Sequence, residues 1–172
     1  MAELSEDVER VFRRAQKEVL LRAPLNHTVM NRDQVSDHLP HRDPLLLIDR
    51  VTAHDAPGGL IACTYDLARA APVFSGHFPK VPLYPGVLQV EAIGQAGILA
   101  ALLQESQEIQ SISLTHILSA RFLQPVKPGG ELEIIAHIME DGLFLVVIGQ
   151  CIKDGVICSA AVLSGLVGEA TP

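Results

Sequence analysis

The sequence contains no tryptophan, only 4% aromatic residues and three cysteines, and charged side chains make up just 19% of it. Each shortage excludes something. Three scattered thiols, Cys63, Cys151 and Cys158, are too few for the disulfide framework of a small secreted domain or for a cysteine zinc site, so reduced core residues are expected. A net charge of -7 with no run of lysine or arginine has the wrong sign for a nucleic-acid binder. The first residues are acidic and lack the basic start and apolar middle of a secretion signal, which makes the cytoplasm the expected location. What is abundant is aliphatic: 48% of the 172 residues are hydrophobic and the mean hydropathy is +0.29, so a membrane span has to be considered. The most apolar stretch, residues 86–103, carries Gln89, Glu91 and Gln95, which a bilayer helix avoids. No membrane span is expected, and the aliphatic surplus must be buried within a single domain spanning residues 1–172.

Periodicity divides the chain. Residues 4–22 place Leu4, Val8, Val11, Phe12, Ala15, Val19 and Leu20 on one face, with Ser5 as N-cap and Pro24 beyond, predicting an amphipathic helix in an N-terminal extension of residues 1–25. A short helix is expected over residues 31–38. The apolar run Leu45 to Ile48, with Val51, suits a buried strand, and residues 60–67 an antiparallel return after Pro57-Gly58-Gly59. Three prolines, Pro72, Pro79 and Pro82, lie within residues 70–85 and predict a rigid loop, after which Pro85 opens the next element. That element, residues 86–104, is apolar on nearly every side and predicts a helix buried all round. Runs at 131–140, 143–152 and 156–167, joined by Asp141-Gly142 and Asp154-Gly155, predict a three-stranded meander with type I′ turns, and a further strand is expected at 115–122. The fold class is therefore α+β, a curved antiparallel sheet wrapped around one long buried helix. A two-residue turn at Asp154-Gly155 would place Cys151 opposite Cys158.

Few polar groups stand where chemistry is possible. His77 lies in the proline-rich loop, and Glu91 lies on the greasy helix, where a carboxylate is costly unless paired, hydrogen-bonded or protonated. Gln95, at i+4, shares its face. The helix start at Gly86 offers N–H groups and the positive end of the dipole to a developing oxyanion, with no side chain to keep a carbonyl away. A base, an acid and an oxyanion donor are what β-elimination from a 3-hydroxyacyl thioester needs, with His77 suited to the base and Glu91, its pKa raised by burial, to the acid. From the residues alone, His77 as a loop residue and Glu91 as a hydrogen-bonded spacer remain equally open. His38 and His41 share an H-x-x-H spacing but flank Pro40 in a non-helical segment, a poor metal site. His41 and Arg42 are expected to bond backbone or Asp49.

The string GHFPKVPLYPGVLQVEAIGQA, residues 76–96, resembles the signature of 3-hydroxyacyl-[acyl-carrier-protein] dehydratases of the FabZ type. LPHRDPLLLIDRV, residues 39–51, resembles that family's opening motif, and ARFLQPVKPGG, residues 120–130, its later strand and turn. The resemblance implies a hotdog fold and a homodimer, which members of this family also assemble into trimers of dimers, with each site taking histidine from one subunit and glutamate from the other. Carried over, it implies His77 and Glu91 as the catalytic pair, the Gly86 N–H as the group polarising the thioester carbonyl and Gln95 as support. It also implies Tyr84 at the mouth of an acyl tunnel, with Phe78 beside the substrate. The implied substrate is an acyl-carrier-protein-bound 3-hydroxyacyl chain. No metal or organic cofactor is implied.

Residues 1–25 have no counterpart in a typical member. Relatives that also isomerise carry aspartate on the helix where this chain has Glu91, which favours dehydration alone. A hotdog thioesterase and a non-catalytic acyl-binding module are the competing classes. Net charge -7 gives little long-range attraction to an acidic carrier, leaving Arg42, Lys80, Arg121 and Lys127 as a candidate local basic patch.

Overall fold

The apolar run that begins after Pro85 forms α4 (Gly86–Leu102), and the rest of the chain is arranged to bury it. The structure, a computed structural model, describes residues 5–21, 28–104, 111–141 and 144–168. Ahead of α4 come α1 (Glu6–Ala15), α2 (Arg32–His38) and α3 (Ala71–Gly76). The strands are β1 (Arg50–Asp55), β2 (Leu60–Asp66), β3 (Ser111–Phe122), β4 (Glu131–Asp141), β5 (Phe144–Lys153) and β6 (Val156–Gly168). They form one six-stranded sheet in the order β1-β2-β4-β5-β6-β3, every neighbouring pair antiparallel. The expected α+β architecture is thus observed, with β3 on an edge. Among the described residues no helix is long and apolar enough to cross a membrane.

Side-chain alternation explains how the sheet serves two cores. Leu132, Ile134, Ala136, Leu145, Val147 and Leu163 face α4, together with its Ile93, Ala96 and Leu99. Two glycines bring helix and sheet together. A Cβ on Gly97 would lie 2.5 Å from Val147 methyls, and one on Gly149 would lie 2.4 Å from Ile93. α4 is not buried all round, however. Val87 is 71% exposed, and Glu91, Gly94 and Ile98 are only partly covered, so the i, i+4, i+7, i+11 stripe of the helix is open.

The alternate residues Ile135, Val146, Ile148, Ala160 and Val162 point to the outer face and are covered by Val8, Phe12, Ala15 and Leu20 of the N-terminal segment. Ser5 caps α1 as expected, its Oγ accepting from the Val8 N–H at 3.4 Å. The helix is shorter than expected because Gln150 takes over its end. That side chain, wholly buried, donates to the carbonyls of Ala15 at 2.7 Å and Glu18 at 3.0 Å, and accepts from the Leu20 N–H at 2.7 Å. Of the expected helix over residues 4–22 and the 1–25 extension, residues 1–4 and 22–25 lie outside the described residues.

Other expectations need correction. Residues 45–48 are not a strand: the backbone at Leu45 and Leu47 bonds the Gln95 side chain, and β1 begins at Arg50. Within residues 70–85, α3 forms because Pro72 sits in its first turn, where no N–H is needed. The Asp154-Gly155 turn has the positive φ values of type I′, 53° and 77°. A bulge between Cys151 and Ile152 then slips the register, so Cys151 faces Ser159 and not Cys158. Gly142 of the other predicted turn lies outside the described residues. All three cysteines are free and buried.

Replacing Gln150 by leucine strands a buried N–H and two carbonyls, and should lower the stability to urea by about 2 kcal/mol. It should also open the chain near residues 16–21 to limited proteolysis, which unchanged protease resistance would contradict. Burial pushes the Cys63 and Cys158 thiols up and Cys151 up to about 12, so none should react with a thiol-exchange reagent until the protein is unfolded. Rapid labelling of the native chain would contradict this.

Candidate active site

α3 ends at Gly76, and the chain turns through a hydrogen-bonded loop before Pro85. The His77 N–H donates to Val73 O at 2.9 Å, the Leu83 N–H to His77 O at 2.7 Å, and Phe78 and Val81 exchange backbone bonds at 3.3 and 3.1 Å. The His77 ring is held too, with Nδ1 2.9 Å from Leu83 O. A carbonyl only accepts, so Nδ1 carries the proton and a neutral ring keeps its lone pair on Nε2. Phe78 stacks on this ring at 4.1 Å and is 54% exposed. The ring orientation is thereby fixed, with Nε2 the nitrogen left to accept a proton.

Glu91 is held by a different set of contacts. Gln95, buried at 1% exposure, donates one amide hydrogen to Glu91 Oε1 at 2.8 Å and the other to Leu45 O at 2.7 Å, while its oxygen accepts from the Leu47 N–H at 2.9 Å. Every hydrogen-bonding site that fixes the amide's orientation is engaged, so it aims Glu91 from a rigid base. His41 approaches the same carboxylate, Nε2 to Oε1 at 3.4 Å, and its Nδ1 is buried without a hydrogen-bond partner among the described residues. Of the two partners expected for His41 and Arg42, backbone holds for Arg42 and Asp49 for neither. Arg42 donates to the carbonyls of Leu39 and His41, and Asp49 pairs with Arg32 and Arg69. The sequence carried a signal for His41 in the opening motif, but no spacing rule linked it to a helix fifty residues on.

The two groups face different cavities. Glu91 and Gln95 line one of about 700 Å³ with Gly94, Ile98, Leu114 and Leu163, and residues 37–42 line it as well. His77 lines another of about 430 Å³ with Tyr84, Gly86, Gln89 and Phe122. Val87 borders both. One chain therefore does not bring His77 and Glu91 together. The side chain of Glu91 is 37% exposed, not enclosed in the core as its helix suggested, because it belongs to the open stripe of α4.

The remaining expected residues are placed as follows. α4 has no side-chain cap at its start, so the N–H groups at Gly86 and Val87 keep the positive end of the dipole available to an anion. The space a Gly86 side chain would take is filled by the Phe122 ring, 2.5 Å from the would-be Cβ. Tyr84 is buried within the chain: its ring packs on Tyr65 and Phe74, and burial pushes its phenol up. Its hydroxyl and the nearby Gln89 oxygen have no hydrogen-bond partner among the described residues.

Residues 39–161 match a FabA-like domain. Among solved structures, a dehydratase heterocomplex from Xenorhabdus doucetiae superposes with a TM-score of 0.61 at 17% identity, over 78% of this chain and 91% of that one. A thioesterase from Haemophilus influenzae does so with a TM-score of 0.61 at 18% identity, over 81% and 92%. Helix and sheet thus define a hotdog-fold protein of the FabA-like class. In sequence it is 36% identical over 141 residues to the 3-hydroxyacyl-[acyl-carrier-protein] dehydratase FabZ of Campylobacter curvus, covering 78% of this chain and 95% of that protein. It is 35% identical over 143 residues to the FabZ of Nitratidesulfovibrio vulgaris, covering 81% and 92%. The chain belongs to the FabZ family of 3-hydroxyacyl-[acyl-carrier-protein] dehydratases.

Replacing Gln95 by leucine keeps the volume but orphans the Leu47 N–H and Leu45 carbonyl, which should cost about 2 kcal/mol in urea unfolding. A stability within a few tenths of the parent would show that the amide does not anchor the 45–47 segment.

Proposed function

We propose that this protein removes water from acyl-carrier-protein-linked 3-hydroxyacyl thioesters, with His77 as the base and Glu91 as the acid. The observation that carries the reading is the pair of fixed side chains: an imidazole whose Nε2 is its free basic nitrogen, and a carboxylate aimed by a fully bonded amide beside an apolar cavity. Nε2 takes the proton from the carbon next to the thioester. The electrons form the C2–C3 double bond, and the 3-hydroxyl leaves as water with a proton from Glu91. Charge growing on the thioester oxygen is met by the N–H groups at the start of α4, with Gly86 the expected donor. Proton return from His77 to Glu91 through the site resets the enzyme.

The reading includes a second copy of the chain. His77 and Glu91 open onto different cavities in one chain, and the edge strand β3, paired only with β6 among the described residues, carries exposed Leu114 and Ile117 beside the Glu91 cavity. In the proposed homodimer, His77 of one subunit faces Glu91 of the other across this opening. The domain assignment is part of the same reading: residues 1–172 form a single dehydratase domain with residues 1–25 as an N-terminal extension, whose described part covers the outer sheet face.

His77→Ala and Glu91→Ala should each lower hydration of a crotonyl thioester by roughly 10²–10⁴-fold with an unchanged far-ultraviolet circular dichroism spectrum. Mixed after partial unfolding and refolding, the two inactive variants should regain about a quarter of the parent's activity, because half of the dimers then hold one complete site. Near-parent activity in either single variant overturns the chemistry. Two inactive variants that regain nothing on mixing overturn the shared site. Mass spectrometry on a 3-hydroxyacyl carrier should show loss of one water, whereas release of free thiol would mark a thioesterase.

A further inference from the structure

α4 carries glycine at 86, 94 and 97, and packing accounts for two of them. A Cβ on Gly86 would strike the Phe122 ring at 2.5 Å, and one on Gly97 would strike Val147 at the same distance. Gly94 is different. The nearest atom to a Cβ built there is Leu163 Cδ1 at 3.4 Å, an ordinary van der Waals contact with the end of a side chain. Its φ is not positive either, since the positive-φ glycines are 59, 129, 130 and 155. Alanine would therefore fit position 94 and would favour the helix, because glycine in a helix interior loses more chain entropy on folding. Neither the backbone nor the packing of the described chain calls for glycine there.

The missing side chain opens a volume beside the proposed acid. Gly94 follows Glu91 by three residues, so the two positions are neighbours on the helix surface, and both line the 700 Å³ cavity with Ile98 and Leu163. This inference rests on the proposed role of Glu91 as proton donor to the 3-hydroxyl. With that oxygen at the carboxyl, the next carbon of the acyl chain lies within reach of position 94, against the apolar wall formed by Leu163. We propose that Gly94 is a specificity-determining residue: the space left by its absent Cβ admits bulk on C4, so the enzyme accepts 3-hydroxyacyl thioesters branched at that carbon. The helix carries a less favourable residue there, and the groove gains width where the substrate is widest.

The test compares full-length parent and Gly94→Ala on N-acetylcysteamine thioesters of 3-hydroxyhexanoate and 3-hydroxy-4-methylpentanoate, which have equal carbon counts and differ in the branch. The parent should use both with kcat/KM within about tenfold of each other, the worth of roughly one methylene. Gly94→Ala should lower kcat/KM for the branched substrate by about tenfold or more relative to the unbranched one. Its Tm should rise by about 2 °C. An unchanged ratio of the two substrates overturns the inference. A lower Tm or a changed oligomeric state in sedimentation also overturns it, because the space would then belong to a packing neighbour. Glu91→Gln, run in parallel, separates the two failures. If it is inactive while the ratio is unchanged in Gly94→Ala, only the role of Gly94 falls. If it keeps full turnover, the reading of the site falls and the inference with it.

Discussion

One side-chain amide joins the three parts on which the candidate site depends. Gln95 sits on the central helix, almost without solvent contact, and uses both amide hydrogens and its oxygen. Two of those bonds hold the irregular backbone at Leu45 and Leu47, and the third holds Glu91. A buried amide with any of these bonds missing would cost more than it contributes, so the arrangement works only as a complete set. Complete, it gives the carboxylate one orientation. It also fixes the segment that carries His41 to the helix that carries Glu91.

The glycine pair at the helix–sheet contact acts in the same direction. With Gly97 against Val147 and Ile93 against Gly149, α4 lies close to β5 and cannot slide along it without collision. The open stripe of the helix, from Val87 through Glu91 to Ile98, is therefore a consequence of where the glycines put the opposite face. A helix with larger residues at those contacts would stand farther from the sheet, and its position would be less sharply defined.

Much of this was legible in the residues. The meander and its Asp154-Gly155 turn follow from alternation and turn chemistry, the central helix from an apolar run that ordinary surface helices do not have, and the Ser5 cap from its place before an acidic first turn. His77 and Glu91 stood out as candidates because their surroundings are otherwise so poor in polar groups. What was not legible is mostly long-range. A bulge of one residue at Cys151 leaves no mark on hydrophobic periodicity, yet it replaces Cys158 by Ser159 as the facing residue. The run Leu45 to Ile48 reads as a strand because burial alone does not say whether the backbone finds a strand or a glutamine side chain. Gln150, a single polar residue in a buried strand, shows nothing in sequence of the helix end it closes. The exposure of Glu91 was hidden for a similar reason, since mean hydropathy averages over the helix and one open stripe disappears in the average.

The docking of the N-terminal segment on the outer sheet face also bears on how copies of this chain can meet. Ile135, Val146, Ile148 and Val162 would otherwise form an apolar plane suited to stacking one sheet back to back on another, and Val8, Phe12 and Leu20 already occupy it. That plane is committed within the chain and locked by the bonds of Gln150. Among the described residues the apolar surface left uncovered lies on the opposite side, where the outer edge of β3 and the open stripe of α4 border one cavity. A helix far from any reacting group thus determines which face of the protein is left for a neighbour.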